Sequence, residues 1–401
     1  MGNDNSLHLM SRRTENDNDS SEHSEIARWD DIQGLDNNLL RGIYAYGFEN
    51  PSPIQKKGIL PILNGHDTIG QAQSGTGKTG CFTVAALQLI DTQVNECQSL
   101  ILAPTRELSR QIFEVTSSIA SKMTDMRLKL LVGGTSIDDD VHNLKGKQPH
   151  MVIGCPGRVQ DMIRRKHLSG TTIKLIILDE ADDLLSYGFK EQVYNIFQFL
   201  SRNVQVALFS ATLPPEVQDL TEKFMRDPVK ILVKADMLTL EGIAQHYVAL
   251  EDDNQKYATL KDLFASISVS QAIIYCNSVR RVGDLHAALT EDGFSSCSIH
   301  SSMEKEDRAR SYQEFKEGKH RVLISSNVTA RGIDIQQVST VINFDIPRDV
   351  NTYLHRIGRS GRWGRKGVGI NFVTRRDFRK MKDIESHYNT SITELPSSFV
   401  N

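Results

Sequence analysis

Short apolar runs recur along this chain at the spacing of buried parallel strands, and no other feature limits the fold so sharply. The first set is Leu100–Ala103, Leu128–Val132, Met151–Gly154, Leu175–Leu178, Val206–Phe209 and Lys230–Val233. A second set, His246–Leu250, Ala272–Cys276, Arg321–Ser325, Thr340–Phe344 and Val368–Val373, begins after the polar stretch Lys234–Gly242. Most of these runs are rich in Val, Ile and Leu, and amphipathic stretches separate them. A strand that is apolar on both faces must be covered on both, as in a parallel sheet with helical crossovers. Two sets therefore predict two α/β domains, residues 26–233 and 243–401, joined by a flexible linker over 234–242. The length of 401 residues agrees with this, at roughly 150 residues per domain plus a tail.

Residues 1–25 carry six acids (Asp4, Glu15, Asp17, Asp19, Glu22, Glu25) against Arg12 and Arg13, and almost no large apolar side chain. Such a segment cannot offset its ordering entropy by burial, so it is expected to be a disordered acidic tail. Five scattered cysteines (Cys81, Cys97, Cys155, Cys276, Cys297) show no paired spacing. That argues against a zinc cluster or a disulfide framework and for a reducing compartment. No apolar run reaches the ~18 residues of a membrane span, and the N-terminus is too polar for a secretory leader. The expectation is a soluble intracellular protein.

The first chemical motif lies between a strand and a helix. Apolar Asp67–Gly70 leads into Ala72-Gln73-Ser74-Gly75-Thr76-Gly77-Lys78-Thr79, and a helical apolar pattern runs from Phe82 to Ile90. A glycine-rich turn there aims backbone N–H groups and a helix N-terminus at phosphate oxygens. Ser74, Gly75, Thr76 and Gly77 would line the phosphates, Lys78 would reach their outer oxygens, and the Thr79 hydroxyl would hold Mg²⁺. Ala72 stands in place of the first glycine of the general pattern.

The second motif follows the run Leu175–Leu178, which ends in Asp179-Glu180-Ala181-Asp182. A carboxylate at the end of a buried strand, beside a phosphate loop, is where a metal finds its second protein contact. Asp179 would bind Mg²⁺ through water, and Glu180 would orient and polarise an attacking water. Without the upstream loop, the same acids would read as an ordinary helix N-terminus.

Residues 179–182 spell D-E-A-D, and the surrounding motifs resemble those of the DEAD-box RNA helicases from about Trp29 to the C-terminus. The likeness is greatest to the translation initiation factor 4A type with its exon-junction paralogues. It is carried by the segments beginning at Leu40, Met225 and Leu238. The resemblance implies two RecA-like domains and an RNA-dependent ATPase using ATP and Mg²⁺.

Gly47–Gln55 corresponds to the family's adenine-reading motif. The Gln55 amide matches adenine's donor and acceptor, and Phe48 supplies a stacking face. Asn50 stands where subgroup members often have Lys. Ser210-Ala211-Thr212 resembles the hydroxyl pair that bonds to the last Asp of the box, here Asp182, and couples hydrolysis to domain movement together with His355. Elsewhere those hydroxyls would be common helix caps. Arg331-Gly332-Ile333-Asp334 and His355-Arg356-Ile357-Gly358-Arg359-Ser360-Gly361-Arg362 resemble motifs five and six. By that resemblance Arg359 and Arg362 are arginine fingers, worth ~10³–10⁵ in rate. Asp334 would meet the ribose, and Trp363 would cover the adenine.

Pro104-Thr105-Arg106, Gly133-Gly134 and Pro156-Gly157-Arg158 match the RNA motifs of the first domain. Their hydroxyl, backbone N–H and guanidinium groups suit a sugar–phosphate backbone, and 2′-OH contacts would favour RNA. Several residues depart from the family pattern near this groove, among them Val279, which interrupts the basic run beginning at Asn277-Ser278. Cys155 replaces a Thr, Ser301 and Ser302 replace Gly-Asp, and Asn327 replaces an Asp. These changes suggest a working ATPase whose RNA coupling has shifted.

The net charge of −3 looks wrong for an RNA-binding protein, but the tail accounts for it, and residues 355–383 hold ten Lys and Arg against two Asp. RNA affinity is therefore expected to rest on ATP-driven closure more than on a permanently basic surface. The sequence reads as a helicase that unwinds short duplexes in translation initiation. The alternative is an ATP-gated RNA clamp in an exon-junction or RNA-processing assembly. The expected partners are RNA and a helical-repeat initiation-factor scaffold, with no membrane. The chain is expected to be monomeric, in the cytoplasm or nucleus.

Overall fold

A computed structural model describes residues 25–72, 75–186, 188–232, 243–266, 271–327, 338–360 and 367–396. The expected tail, up to residue 24, and the expected linker lie outside these residues.

The first half forms one sheet of seven strands: β1 (Thr68–Gln71), β2 (Ser99–Leu102), β3 (Leu128–Leu131), β4 (Met151–Gly154), β5 (Leu175–Asp179), β6 (Gln205–Ser210) and β7 (Val229–Leu232). The second half forms another: β8 (Ile243–Leu250), β9 (Ala272–Tyr275), β10 (Ser296–Ile299), β11 (Val322–Ser325), β12 (Thr340–Asn343), β13 (Gly367–Thr374) and β14 (Thr393–Glu394). Every pairing is parallel. The strand orders are β3-β4-β2-β5-β6-β1-β7 and β10-β11-β9-β12-β13-β8-β14. Adding seven to each number of the first order gives the second, so the halves are topological duplicates. These are two RecA-like domains.

The apolar runs explain why both faces are covered. Along β5, Leu175 and Ile177 enter one core with Ile101, Ile153 and Phe209. Ile176 and Leu178 enter the opposite core with Leu100, Val152 and Leu208. The second sheet divides in the same way, with Ile273 and Leu323 on one face and Ile274 and Ile324 on the other. Successive side chains of a strand point to opposite faces, so an uninterrupted apolar run supplies both layers at once.

Two strands escape the apolar-run criterion. β10 reads Ser296-Cys297-Ser298-Ile299, and its two serines are buried at 8% and 9% exposure. β14 is only two residues long. Among the described residues, no helix is long and apolar enough to cross a membrane.

Candidate active site between the domains

Sheet order decides which loops meet. The carboxyl ends of β5, β6 and β1 are neighbours in the first sheet, and so are those of β3, β4 and β2. The glycine-rich loop, Asp179–Asp182 and Ser210-Ala211-Thr212 therefore share one region. Pro104-Thr105-Arg106, Gly133-Gly134 and Pro156-Gly157-Arg158 share the region beside it.

The phosphate loop turns through Gly75 and Gly77, both left-handed at φ 84° and 102°. A side chain on Gly77 would place its Cβ 2.5 Å from Ser52 Oγ, so both backbone shape and space call for glycine. Lys78 then opens the helix Lys78–Gln88. It is 4% exposed, and its Nζ lies 3.3 Å from Glu180 Oε1. Thr76 and Thr79 are half-buried beside it, while Ser74 lies outside the described residues.

Gln55 has a role that its sequence context does not reveal. Its Oε1 accepts from Ser52 N at 2.7 Å, and its Nε2 donates to the Gly77 carbonyl at 3.1 Å. It therefore ties its own helix N-terminus to the phosphate loop. Phe48 packs edge-on to Tyr46, with ring centroids 4.7 Å apart, and lies 6.1 Å from the buried Trp29 ring.

Asp179 ends β5, and Glu180 turns the chain through a left-handed φ of 49° before the helix Ala181–Ser186. Such a φ is strained for a side chain other than glycine or Asn/Asp. Here the turn is braced by a bond from Glu180 N to Asp179 Oδ1 at 3.1 Å. Burial, followed by the nearby Glu180 charge, raises the Asp179 carboxyl to about 7. Burial also works to raise Glu180, but Lys78, His355 and Arg359 overcome it and hold that carboxyl below its usual value. Burial thus disfavours the charged form at Asp179, while the surrounding cations favour it at Glu180.

Glu180 Oε2 is buried with no hydrogen-bond partner among the described residues. Nor do three or more His, Cys, Asp or Glu side chains among them converge as a metal cage. Mg²⁺ suits such a place, because it keeps several waters and needs only one or two protein oxygens beside phosphate. Thr79 and Asp179 fit that requirement.

The second domain closes over this face. Asp182 N donates to Ser210 Oγ at 3.3 Å, and Thr212 Oγ1 donates to Asp182 Oδ2 at 2.6 Å. The same Oδ2 meets His355 Nε2, from the second domain, at 3.2 Å. One turn further on, Arg359 is buried, and burial lowers its pKa while the Glu180 charge opposes that shift. Asp334, Arg362 and Trp363 lie outside the described residues.

A second cross-domain contact was not foreseen. Arg308 Nη2, on the helix Lys305–Lys316, meets Glu107 Oε2 at 2.5 Å, and both side chains are 13% exposed. Glu107 adjoins Arg106 in the first-domain RNA motif, but nothing in the sequence marks Arg308 as its partner.

Along the neighbouring edge, Pro104 is buried, and the Thr105 hydroxyl caps the helix Arg106–Ile119 by accepting from Leu108 N. The Arg106 guanidinium packs over Gly133, within 3.4 Å of where a Cβ would sit, and Gly134 is left-handed at φ 88°. Pro156 opens the next helix, Gly157 is exposed, and Cys155 caps nothing. The Cys155 thiol is buried against Ser109 Oγ at 3.4 Å.

Arg158 is committed within its own domain. Its side chain is 8% exposed, pairs with Asp140 and donates to the Thr135 carbonyl at 2.8 Å. It therefore holds the loop after Gly133-Gly134. Ser301 and Ser302 are exposed, and Asn327 faces Arg356.

The DEAD/DEAH box helicase family matches residues 52–220, and the helicase conserved C-terminal domain matches residues 255–364. Eukaryotic initiation factor 4A of Cryptosporidium parvum is 54% identical over 94% of this chain and 92% of its own length. ATP-dependent RNA helicase FAL1 of Mycosarcoma maydis is 51% identical over 94% and 95%. Among solved structures, S. cerevisiae Dbp5 bound to RNA and ADP BeF3 superposes with a TM-score of 0.86 at 33% identity, covering 93% of this chain and 96% of that one.

Proposed function

The chain belongs to the DEAD-box helicase family as an ATP-dependent RNA helicase of the initiation factor 4A and FAL1 subgroup, and from that premise we propose how its residues divide the work. Residues 26–233 form the ATP-binding half and 243–401 the closing half. ATP sits on the Gly75–Thr79 loop, and single-stranded RNA lies across the edge bearing Arg106, Gly133, Gly134 and Gly157. When bound, Mg²⁺ would be held by Thr79 and Asp179 and would neutralise phosphate charge.

The observation that carries this reading is the set of contacts across the cleft. His355 reaches Asp182, and the Arg359 charge acts on Glu180, itself paired with Lys78. On ATP binding, Lys78 exchanges Glu180 for phosphate oxygens, which frees the Glu180 carboxylate to take a proton. Water then attacks the γ-phosphorus, the bond to the ADP oxygen breaks, and the water's proton passes to Glu180. Arg359 stabilises the charge that develops on the transferred group. Loss of the γ-phosphate removes what holds the halves together, so RNA is released.

Bending of the bound strand on closure would open a short duplex, and translation initiation is the process the subgroup likeness favours. A helical-repeat scaffold is the protein partner that goes with it. RNA-stimulated phosphate release and release of a strand from a short duplex test this together. Both should occur in the wild-type chain and fall about 10²-fold or more in Glu180→Gln. ATP-dependent RNA binding without strand release would instead make the chain a clamp.

A further inference from the structure

Arg356 is a fully buried guanidinium whose hydrogen bonds all go to uncharged oxygens. Its Nε and Nη2 donate to Asn327 Oδ1 at 3.0 and 2.7 Å. Nη2 also donates to Asn277 Oδ1 at 2.8 Å, while Nη1 donates to Asn343 Oδ1 at 3.0 Å and to the Asp345 carbonyl at 2.8 Å. Those bonds use the five N–H groups that a guanidinium owns. The Tyr275 ring lies 5.2 Å from the guanidinium carbon. Among the described residues, no carboxylate oxygen is bonded to it.

The carboxylate whose charge acts most on Arg356, that of Asp345, is already taken. Asp345 Oδ1 pairs with Lys256 Nζ at 3.0 Å and Arg281 Nε at 3.2 Å, and its Oδ2 accepts from Asn277 N at 3.0 Å. Around Asp345 the second domain thus gathers Lys256, Arg281 and Arg356, with Asp253 as the only further bonded acid among the described residues. Arg356 is satisfied in hydrogen bonds, and although the Asp345 and Asp349 charges act on it, no carboxylate among the described residues is bonded to it as a counter-ion.

The cage lies where this charge can matter. Asn277, Asn327 and Asn343 stand at the carboxyl ends of β9, β11 and β12, and Arg356 binds all three to the helix Val350–Ile357. That helix carries His355 to Asp182, and the turn after it carries Arg359 toward Glu180. Facing it, the described residues of the first domain offer the Glu180 and Asp182 carboxylates, with Lys78 paired to the first and the raised Asp179 carboxyl beside them.

We propose that Arg356 is a positioning residue for hydrolysis held in a neutral amide cage, and that the missing counter-ion at Asn327 strengthens closure of the second domain onto the carboxylate face of the first. Asn327 is the informative position because its side chain is exposed. A carboxylate there would meet both guanidinium donors without being buried. It would neutralise Arg356 and subtract one charge from the closing face. Stability and closure then move in opposite directions, which a purely structural knot would not do. The inference rests on the ATPase reading above.

Asn327→Asp is nearly isosteric and tests this in the full chain. The thermal midpoint without nucleotide should rise by about 2–6 °C. The KM for ATP at saturating RNA should rise about three- to tenfold, the order of effect of one partly screened charge in protein, with kcat within about twofold. An unchanged KM, or a lowered midpoint, overturns the counter-ion argument. Arg356→Lys keeps the charge but loses the fork, so kcat should fall about tenfold or more with KM near that of the wild type. Unchanged kcat overturns the positioning role. If the wild-type chain shows no RNA-stimulated phosphate release, the functional reading falls, whereas the Asn327→Asp midpoint still reports on the missing counter-ion.

Discussion

The His355 imidazole lies 3.2 Å from the Asp182 carboxylate, although the two residues belong to different domains and are 173 positions apart in the chain. Asp182 Oδ2 also accepts from Thr212, so one oxygen joins the acidic box, the Ser-Ala-Thr turn and the closing domain. The contact thus links the second domain directly to the acidic box.

His355→Ala should therefore uncouple RNA from hydrolysis rather than abolish nucleotide binding. The expected result is an RNA-stimulated kcat lower by about tenfold or more, with affinity for a fluorescent ATP analogue nearly unchanged. A comparable loss of nucleotide affinity would contradict the coupling role.

The Glu107–Arg308 pair spans the cleft with both partners mostly desolvated. Removing one member of such a pair leaves a poorly solvated charge, whereas exchanging both restores the attraction. Glu107→Arg and Arg308→Glu alone should each weaken RNA binding in the presence of a non-hydrolysable ATP analogue by about tenfold or more. The double exchange should recover part of the loss. Independent, additive effects would show that the pair does not hold the closed state.

Asp179 predicts a pH dependence with a definite sign. Burial raises its carboxyl to about 7 from an ordinary 3.8. Between those values the folded chain keeps a proton that the unfolded chain gives up. This contribution to stability is complete below the unfolded value and is lost as pH rises through about 7. The nucleotide-free thermal midpoint should fall more steeply between about pH 5 and about pH 8 in the wild type than in Asp179→Asn. Parallel curves would refute the assignment.

Cys155 opens the helix Pro156–Arg164 without capping it, and burial holds its thiol up at about 11. Cys155→Thr would supply a hydroxyl acceptor to the first-turn N–H groups, worth about 0.5–2 kcal/mol. Chemical denaturation should show that gain, and RNA affinity with ATP should tighten. Unchanged RNA affinity and RNA stimulation would remove this substitution from the account of altered coupling.

Much of the fold was legible because the strands are locally encoded. Leu175-Ile-Ile-Leu178 needs both faces covered wherever it lies, and so indicates a central parallel strand. β10 was illegible because Ser296 and Ser298 are polar in sequence, yet they are buried once the strand pairs with β11. The phosphate loop was legible for the same local reason. Gly75 and Gly77 make the left-handed turn themselves, and Lys78 and Thr79 follow it at the start of the helix.

Other roles depended on partners distant in the chain. By family resemblance Pro156-Gly157-Arg158 reads as a sugar–phosphate contact, but the Arg158 side chain is turned inward onto Asp140 and the Thr135 loop. Asn327 read as a lost negative charge, and only its place against Arg356 shows which cation went without it.

Periodicity and turn chemistry act over a few residues, so the two parallel sheets, the glycine-rich loop and the carboxylates at the end of β5 were readable from the chain alone. Only the tertiary structure decided that Glu107 meets Arg308, that His355 meets Asp182, and that Arg356 sits among asparagines. Those contacts depend on strand order and on how the two sheets face each other. Electrostatic pairing is set by distance in space and by the water excluded from it, and neither is written in the spacing of residues along the chain.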